Sequence, residues 1–202
     1  MTALRSNLLP IVVIDDPDRA RPLADALVAA GVTQVEVTLR TPAALDCLAA
    51  MAGNDDLLVG VGTARTAVDV TRAVGAGARF VVSPGLADDV VDECRRLDVD
   101  VLPGIATPTE LLRATGLGLS AVKLFPAAQL GGAPFLAALS AVFPEVRFVP
   151  TGGIGLQDLR TYLDHPAVEA VGGSWMVPPR LIADGDFAAI QALCAEALER
   201  AA

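Results

Sequence analysis

Lys123 is the only lysine in a chain of 202 residues, against fourteen arginines. It stands near the end of an apolar run, Leu119-Ser120-Ala121-Val122-Lys123-Leu124-Phe125-Pro126. A guanidinium stays protonated, whereas an amine in apolar surroundings can give up its charge. A neutral amine is what attacks a carbonyl to form a Schiff base. The plainer alternative is a strand-end lysine whose head reaches water. The neighbours of Lys123 decide against it.

Glu36, Thr38 and Arg40 recur at every second position of Glu36-Val37-Thr38-Leu39-Arg40-Thr41. On a strand they share one face, and Val35, Val37 and Leu39 share the other. Three polar residues on one face of an otherwise apolar strand need partners. An internal Glu36–Arg40 pair would satisfy them, but such a pair is rarely a net stabiliser. The chemical reading makes Glu36 a proton carrier near the lysine and Arg40 a carboxylate ligand.

Two glycine pairs form a further cluster. They lie in Thr151-Gly152-Gly153-Ile154 and in Gly172-Gly173-Ser174-Trp175. Glycine lets backbone N–H groups approach an anion, and a following helix adds a favourable dipole. A phosphate or similar oxyanion is expected there. One histidine, His165, falls in the turn-like Leu163-Asp164-His165-Pro166 and reads as a surface residue. Histidine-based metal catalysis therefore has no ligand set, and no metal or other cofactor is expected.

Eight short β-branched runs must position these residues. They are 9–14, 33–39, 57–61, 79–82, 99–102, 119–124, 146–149 and 168–171. Between them lie segments with helical spacing, such as 18–30, 66–76 and 87–97. Thr41-Pro42, Thr107-Pro108 and Asp16-Pro17 read as helix starts. The pattern predicts an α/β protein, one (β/α)8 barrel spanning residues 1–202, with an open doubly wound sheet as the alternative. The unusual residues fall at the C-terminal ends of the expected strands, where such barrels carry their chemistry.

The net charge of −9 disfavours nucleic acid and anionic membranes as partners. A 53 % hydrophobic content argues against disorder, and no apolar run is long enough to span a bilayer. The N-terminus shows no signal pattern, so a cytoplasmic protein is expected. Cys47, Cys94 and Cys194 lack metal or redox spacing and read as buried reduced thiols.

The motifs EVTLRT (36–41), GVGT (60–63), VSPG (82–85), LPGIAT (102–107), KLFPA (123–127), PTGGI (150–154) and GGSWMVP (172–178) run through nearly the whole chain in order. Together they resemble the family of 2-keto-3-deoxy-6-phosphogluconate and 4-hydroxy-2-oxoglutarate aldolases. The resemblance implies a metal-free class I lyase of the Entner-Doudoroff pathway, a (β/α)8 fold and a homotrimer. It implies that Lys123 forms the Schiff base and Glu36 is the general acid/base. Arg40 and Thr63 would bind the pyruvyl carboxylate, and Pro84 and Phe125 would line the pocket. Thr151 would influence acceptor stereochemistry, and Gly152, Gly153, Gly173 and Ser174 would cradle the phosphate. Arg40 and the Ser83-Pro84-Gly85 turn favour the gluconate type over the related 2-keto-3-deoxy-6-phosphogalactonate aldolases. Two positions depart from the pattern. The loop after the first strand is acidic, Asp15-Asp16-Pro17-Asp18, and Ala128 stands where many members have glutamate. The competing activities are an isomerase or synthase on a phosphate-binding barrel, and a non-catalytic sugar-acid-binding protein.

Overall fold

The structure, a computed structural model, describes residues 4–202. Strands and helices alternate along it: β1 (Leu8–Val12), α1 (Pro17–Ala29), β2 (Gln34–Thr38), α2 (Ala44–Ala52), β3 (Leu58–Gly62), α3 (Ala67–Gly75), β4 (Phe80–Val82), α4 (Asp88–Arg96), β5 (Asp100–Leu102), β6 (Gly104–Ile105), α5 (Pro108–Gly116), β7 (Ala121–Leu124), α6 (Gly132–Val142), β8 (Arg147–Pro150), α7 (Leu159–Leu163), β9 (Val171–Gly173), α8 (Pro179–Asp184) and α9 (Phe187–Ala201). A short 3₁₀ turn, Leu156–Asp158, leads into α7.

All the strand pairings are parallel. Six strands form one sheet in the order β5-β4-β3-β2-β1-β9, and β6-β7-β8 form a second. Neighbours in the larger sheet follow chain order from β5 to β1, without the reversal that marks a doubly wound sheet. The expected fifth strand, 99–102, is β5, and a further short strand, β6, follows past Pro103, which has no N–H to give to a ladder. Its carbonyl still accepts from the Lys123 N–H at 2.8 Å. The expected eighth strand lies later than its β-branched run. Val168 makes only an isolated bridge to Phe148, and regular pairing starts at Val171. A second isolated bridge joins Thr151 to Gly172.

The alternation of side chains sorts the apolar residues into two cores. Val35, Val37, Val59, Val61, Val81, Val122, Leu124 and Phe148 face the helices and pack with Leu23, Leu27, Leu48, Leu111, Leu136 and Leu159. Leu9, Leu58, Phe80, Val82, Leu102, Ala121, Val149 and Ala170 form a separate cluster on the opposite face of the strands. Strand residues from both sheets thus meet in one inner core.

Thr66 and Thr107 cap α3 and α5 through reciprocal capping boxes with Asp69 and Glu110, and the Asp16 carboxylate caps α1. Thr41-Pro42 does not start a helix as expected. The helix α2 begins at Ala44 without a side-chain cap, and Thr41 Oγ1 instead donates to the carbonyl of Ile14 at 2.5 Å. No described helix is long and apolar enough to cross a membrane.

Candidate active site

Parallel strands end on the same edge of a sheet, so the residues that close them are gathered on one side of the molecule. At its centre are two buried charges. Lys123 in β7 is 4 % exposed, and Glu36 in β2 is fully buried. The Lys123 Nζ donates to both Glu36 oxygens, at 3.3 and 3.4 Å. The two residues lie 87 positions apart in sequence. Burying both charges costs more than their attraction guarantees to return, so the pair is poorly explained as a stabilising device. The alternative Glu36–Arg40 pairing is not formed.

The three polar residues of β2 prove to have different tasks. Thr38 donates to the Val12 carbonyl at 2.9 Å and ties β2 to β1. Arg40 lies beyond the end of β2, its N–H turned back onto the Thr38 carbonyl at 2.8 Å. Its Nε donates to Thr63 Oγ1 at 3.3 Å. Among the described residues no carboxylate pairs with Arg40, which leaves most of its donors for an anion. Thr63 holds a left-handed backbone, φ 62°, an uncommon conformation for a residue with a Cβ. This conformation accompanies its contact with Arg40.

The remaining predicted residues lie around this centre. Gly104 pairs in register with Lys123, and the backbone of Pro84 lies directly against Gly104. Ser83 steadies that turn by donating to the Gly85 carbonyl at 2.7 Å. The Phe125 ring centroid is 5.5 Å from the Lys123 Nζ, and the same ring flanks Gly152. Thr151 is buried beside Gly172, with its hydroxyl 3.4 Å from the Val149 carbonyl. Gly152 and Gly153 both hold left-handed backbone, φ 98° and 74°. Ser174 is exposed just past β9, and the indole of Trp175 fills the place that a side chain on Gly173 would take. Among the described residues the buried indole Nε1 finds no hydrogen-bond partner. Gly173 therefore has a packing role beyond the one its sequence suggested.

Residues 2–193 match the family described as KDPG and KHG aldolase. A 2-dehydro-3-deoxy-phosphogluconate aldolase of Treponema pallidum is 45 % identical over 196 residues, covering 96 % of this chain and 93 % of that protein. The chain belongs to the KDPG and KHG aldolase family. Two solved structures are similar over most of their length. The KDPG aldolase of Legionella pneumophila, with pyruvate captured as a covalent carbinolamine, superposes with a TM-score of 0.91 at 41 % identity, covering 94 % of this chain and 93 % of that one. The 2-keto-3-deoxy-6-phosphogluconate aldolase of Zymomonas mobilis, with 3-phosphoglycerate, gives 0.89 at 41 % identity, covering 95 % and 90 %.

The two departures from the KDPG and KHG aldolase pattern have local structural accounts. Asp16 accepts from the Asp18 N–H at 3.0 Å and pairs with Arg19 at 3.6 Å, so the acidic loop serves as the start of α1. Ala128 packs on the Gly153 turn, where its methyl group and the Gln129 amide crowd the glycine.

Sequence reasoning missed Gln34, a buried residue two positions before Glu36 on the same face. Its amide donates to the carbonyls of Ser6 and Leu8 and its oxygen accepts from the Arg5 N–H, which secures the entry into β1. The same alternation that singled out Glu36 and Thr38 includes it. His165 was expected on the surface and is half-buried. Its Nδ1 accepts from the Ala167 N–H at 3.2 Å, and its Nε2 lies 3.4 Å from Ser140 Oγ. With Nδ1 held as an acceptor, the neutral ring carries its proton on Nε2 and does not act as a base toward Ser140.

Proposed function

We propose that this chain is a metal-independent class I aldolase. It cleaves 2-keto-3-deoxy-6-phosphogluconate to pyruvate and glyceraldehyde 3-phosphate, and also splits 4-hydroxy-2-oxoglutarate to pyruvate and glyoxylate. The observation that carries this reading is the buried Lys123–Glu36 pair at the strand ends of a KDPG and KHG aldolase family member. The related proteins named for the same reaction support it.

Lys123 attacks the C2 ketone as its free amine. Loss of water from the adduct leaves a protonated imine, which draws the electrons of the C3–C4 bond. Glu36, through a water, removes the C4 hydroxyl proton as that bond breaks. The aldehyde departs and an enamine remains. Return of a proton to C3 and hydrolysis release pyruvate and the free lysine. Arg40 grips the C1 carboxylate with two parallel N–H bonds and Thr63 adds a third. Fixing the ketone over the amine contributes much of the rate. Pro84 and Phe125 wall the pyruvyl part, and Thr151 faces the acceptor. Gly152, Gly153, Gly173 and Ser174 hold the phosphate with backbone N–H groups and one hydroxyl.

The same reading includes a closed eight-stranded (β/α)8 barrel in a single domain. The inner core shared by both sheets and the bridges Phe148–Val168 and Thr151–Gly172 support closure. It also includes a homotrimer, checked by light scattering at three times the chain mass, and a cytoplasmic location, checked by fractionation.

Borohydride reduction in the presence of pyruvate, followed by peptide mapping, tests the chemistry. A pyruvyl adduct on Lys123 is expected, with none in Lys123→Arg and full activity in the presence of a chelator. A folded, pyruvate-saturated protein without an adduct overturns the proposal.

A further inference from the structure

β3 ends in Val61-Gly62-Thr63, and Gly62 pairs in register with Thr38, two residues beyond Glu36 on β2. A methyl group built on Gly62 would lie 2.0 Å from Glu36 Oε1, 2.5 Å from its Cδ and 2.6 Å from its Cγ. The carboxylate and the last part of its stem therefore occupy the place of the missing side chain. Gly62 itself is buried and keeps an ordinary strand backbone, so no left-handed φ accounts for glycine at this position. Its carbonyl accepts from the Leu39 N–H at 2.9 Å, which fixes the spacing of the two strands. Glu36 cannot gain room by the strands moving apart without losing that bond.

We propose that Gly62 is a positioning residue for proton transfer: the space it leaves lets the Glu36 carboxylate lie across β3 and present both oxygens to Lys123. The inference rests on the reading of Glu36 as the proton carrier. Any side chain at position 62 drives the carboxylate out of this place, while the lysine keeps its own strand, its register with Gly104 and Val149, and its contact with Phe125. Imine formation and proton transfer therefore separate in Gly62→Ala.

Three readouts on Gly62→Ala test this. Borohydride trapping of pyruvate on Lys123 should persist under saturating pyruvate. Turnover, and the exchange of pyruvate methyl protons with solvent deuterium, should each fall by on the order of 10²-fold. Adding Gly62→Ala to Glu36→Gln should cost no more than about twofold further, because both act on one step. Multiplying losses would mean a general structural role and overturn the proposal, as would wild-type exchange in Gly62→Ala. Unchanged turnover in Glu36→Gln alone would remove Glu36 from the mechanism and the inference with it.

Stability supplies an independent arm should Gly62→Ala fail to fold. In a Glu36→Ala, Lys123→Met background both charges and the clashing carboxylate are gone. There Gly62→Ala should fold with the same Tm as its parent, whereas in the wild-type background it lowers Tm or prevents folding. An equal loss in both backgrounds overturns the proposal.

Discussion

The only lysine and one glutamate, far apart in sequence, meet at 3.3 Å in a buried place. Each keeps the other from being an isolated buried charge, which would cost several kcal/mol. Glu36→Gln should therefore still form the pyruvate imine but turn over roughly 10²–10⁴-fold more slowly, as measured by trapping and steady-state rates on one preparation. Thr63 makes a different exchange. Its left-handed backbone is strained for a residue with a side chain, and its hydroxyl meets Arg40. In Thr63→Gly, relief of that strain offsets the added freedom of the unfolded chain, so stability should stay within about 1 kcal/mol. The KM for the 2-oxo acid should rise. A urea titration beside a kinetic assay separates the two effects. The chemical identity of these residues was open to sequence reasoning because lysine is rare here and the polar alternation of β2 is conspicuous. Gly62 was not, because its reason is the volume of a side chain on the neighbouring strand.

At the scale of elements, the strand-helix alternation was legible in apolar periodicity and in the caps at Asp16 and Thr107. What failed were signals decided by tertiary contact. Thr41 resembles an N-cap, yet its hydroxyl serves the carbonyl of Ile14 in the preceding loop. The run 168–171 resembles a strand, yet regular pairing begins only at Val171, where β1 supplies a partner. The two-residue β6 beyond Pro103 has too short an apolar run to be read, and it is set off from β5 by a residue without an N–H for the ladder. The loops after β8 and β9 depend on each other through Thr151 and Gly172. Ser174, exposed just past β9, can be changed without disturbing that contact. Ser174→Ala should raise KM for a phosphorylated substrate more than for an unphosphorylated one. Equal changes in both would take the hydroxyl out of the phosphate cradle.

At the scale of the molecule, a chain with net charge −9 must draw in an anionic substrate against its own field. The Arg40 head, which pairs with no carboxylate among the described residues, and the neutral donors of the glycine turns supply a local remedy. The three thiols show a further property of the whole fold. Burial pushes Cys47 up to about 11, helped by Asp15, Asp16 and Asp46, and pushes Cys94 and Cys194 up to about 12. The unfolded chain releases these protons near pH 9, while the folded chain retains them. Their contribution to stability is therefore complete below pH 9 and is lost as pH rises toward 11–12. Urea midpoints should fall across that interval, and a thiol reagent at neutral pH should find all three cysteines only after unfolding.

Trp175 is the chain's sole tryptophan, and it lies on Gly173 beside Ser174. The molecule thus carries one indole, at the edge where the acceptor half of the substrate is proposed to sit, and Tyr162 is its only tyrosine. With excitation at the red edge of the band, where Tyr162 does not absorb, any emission change on adding glyceraldehyde 3-phosphate comes from that indole. Adding pyruvate, bound against Lys123 and Phe125, should perturb it less. A titration of unlabelled protein can therefore follow the two halves of the substrate separately, with no chromophore introduced.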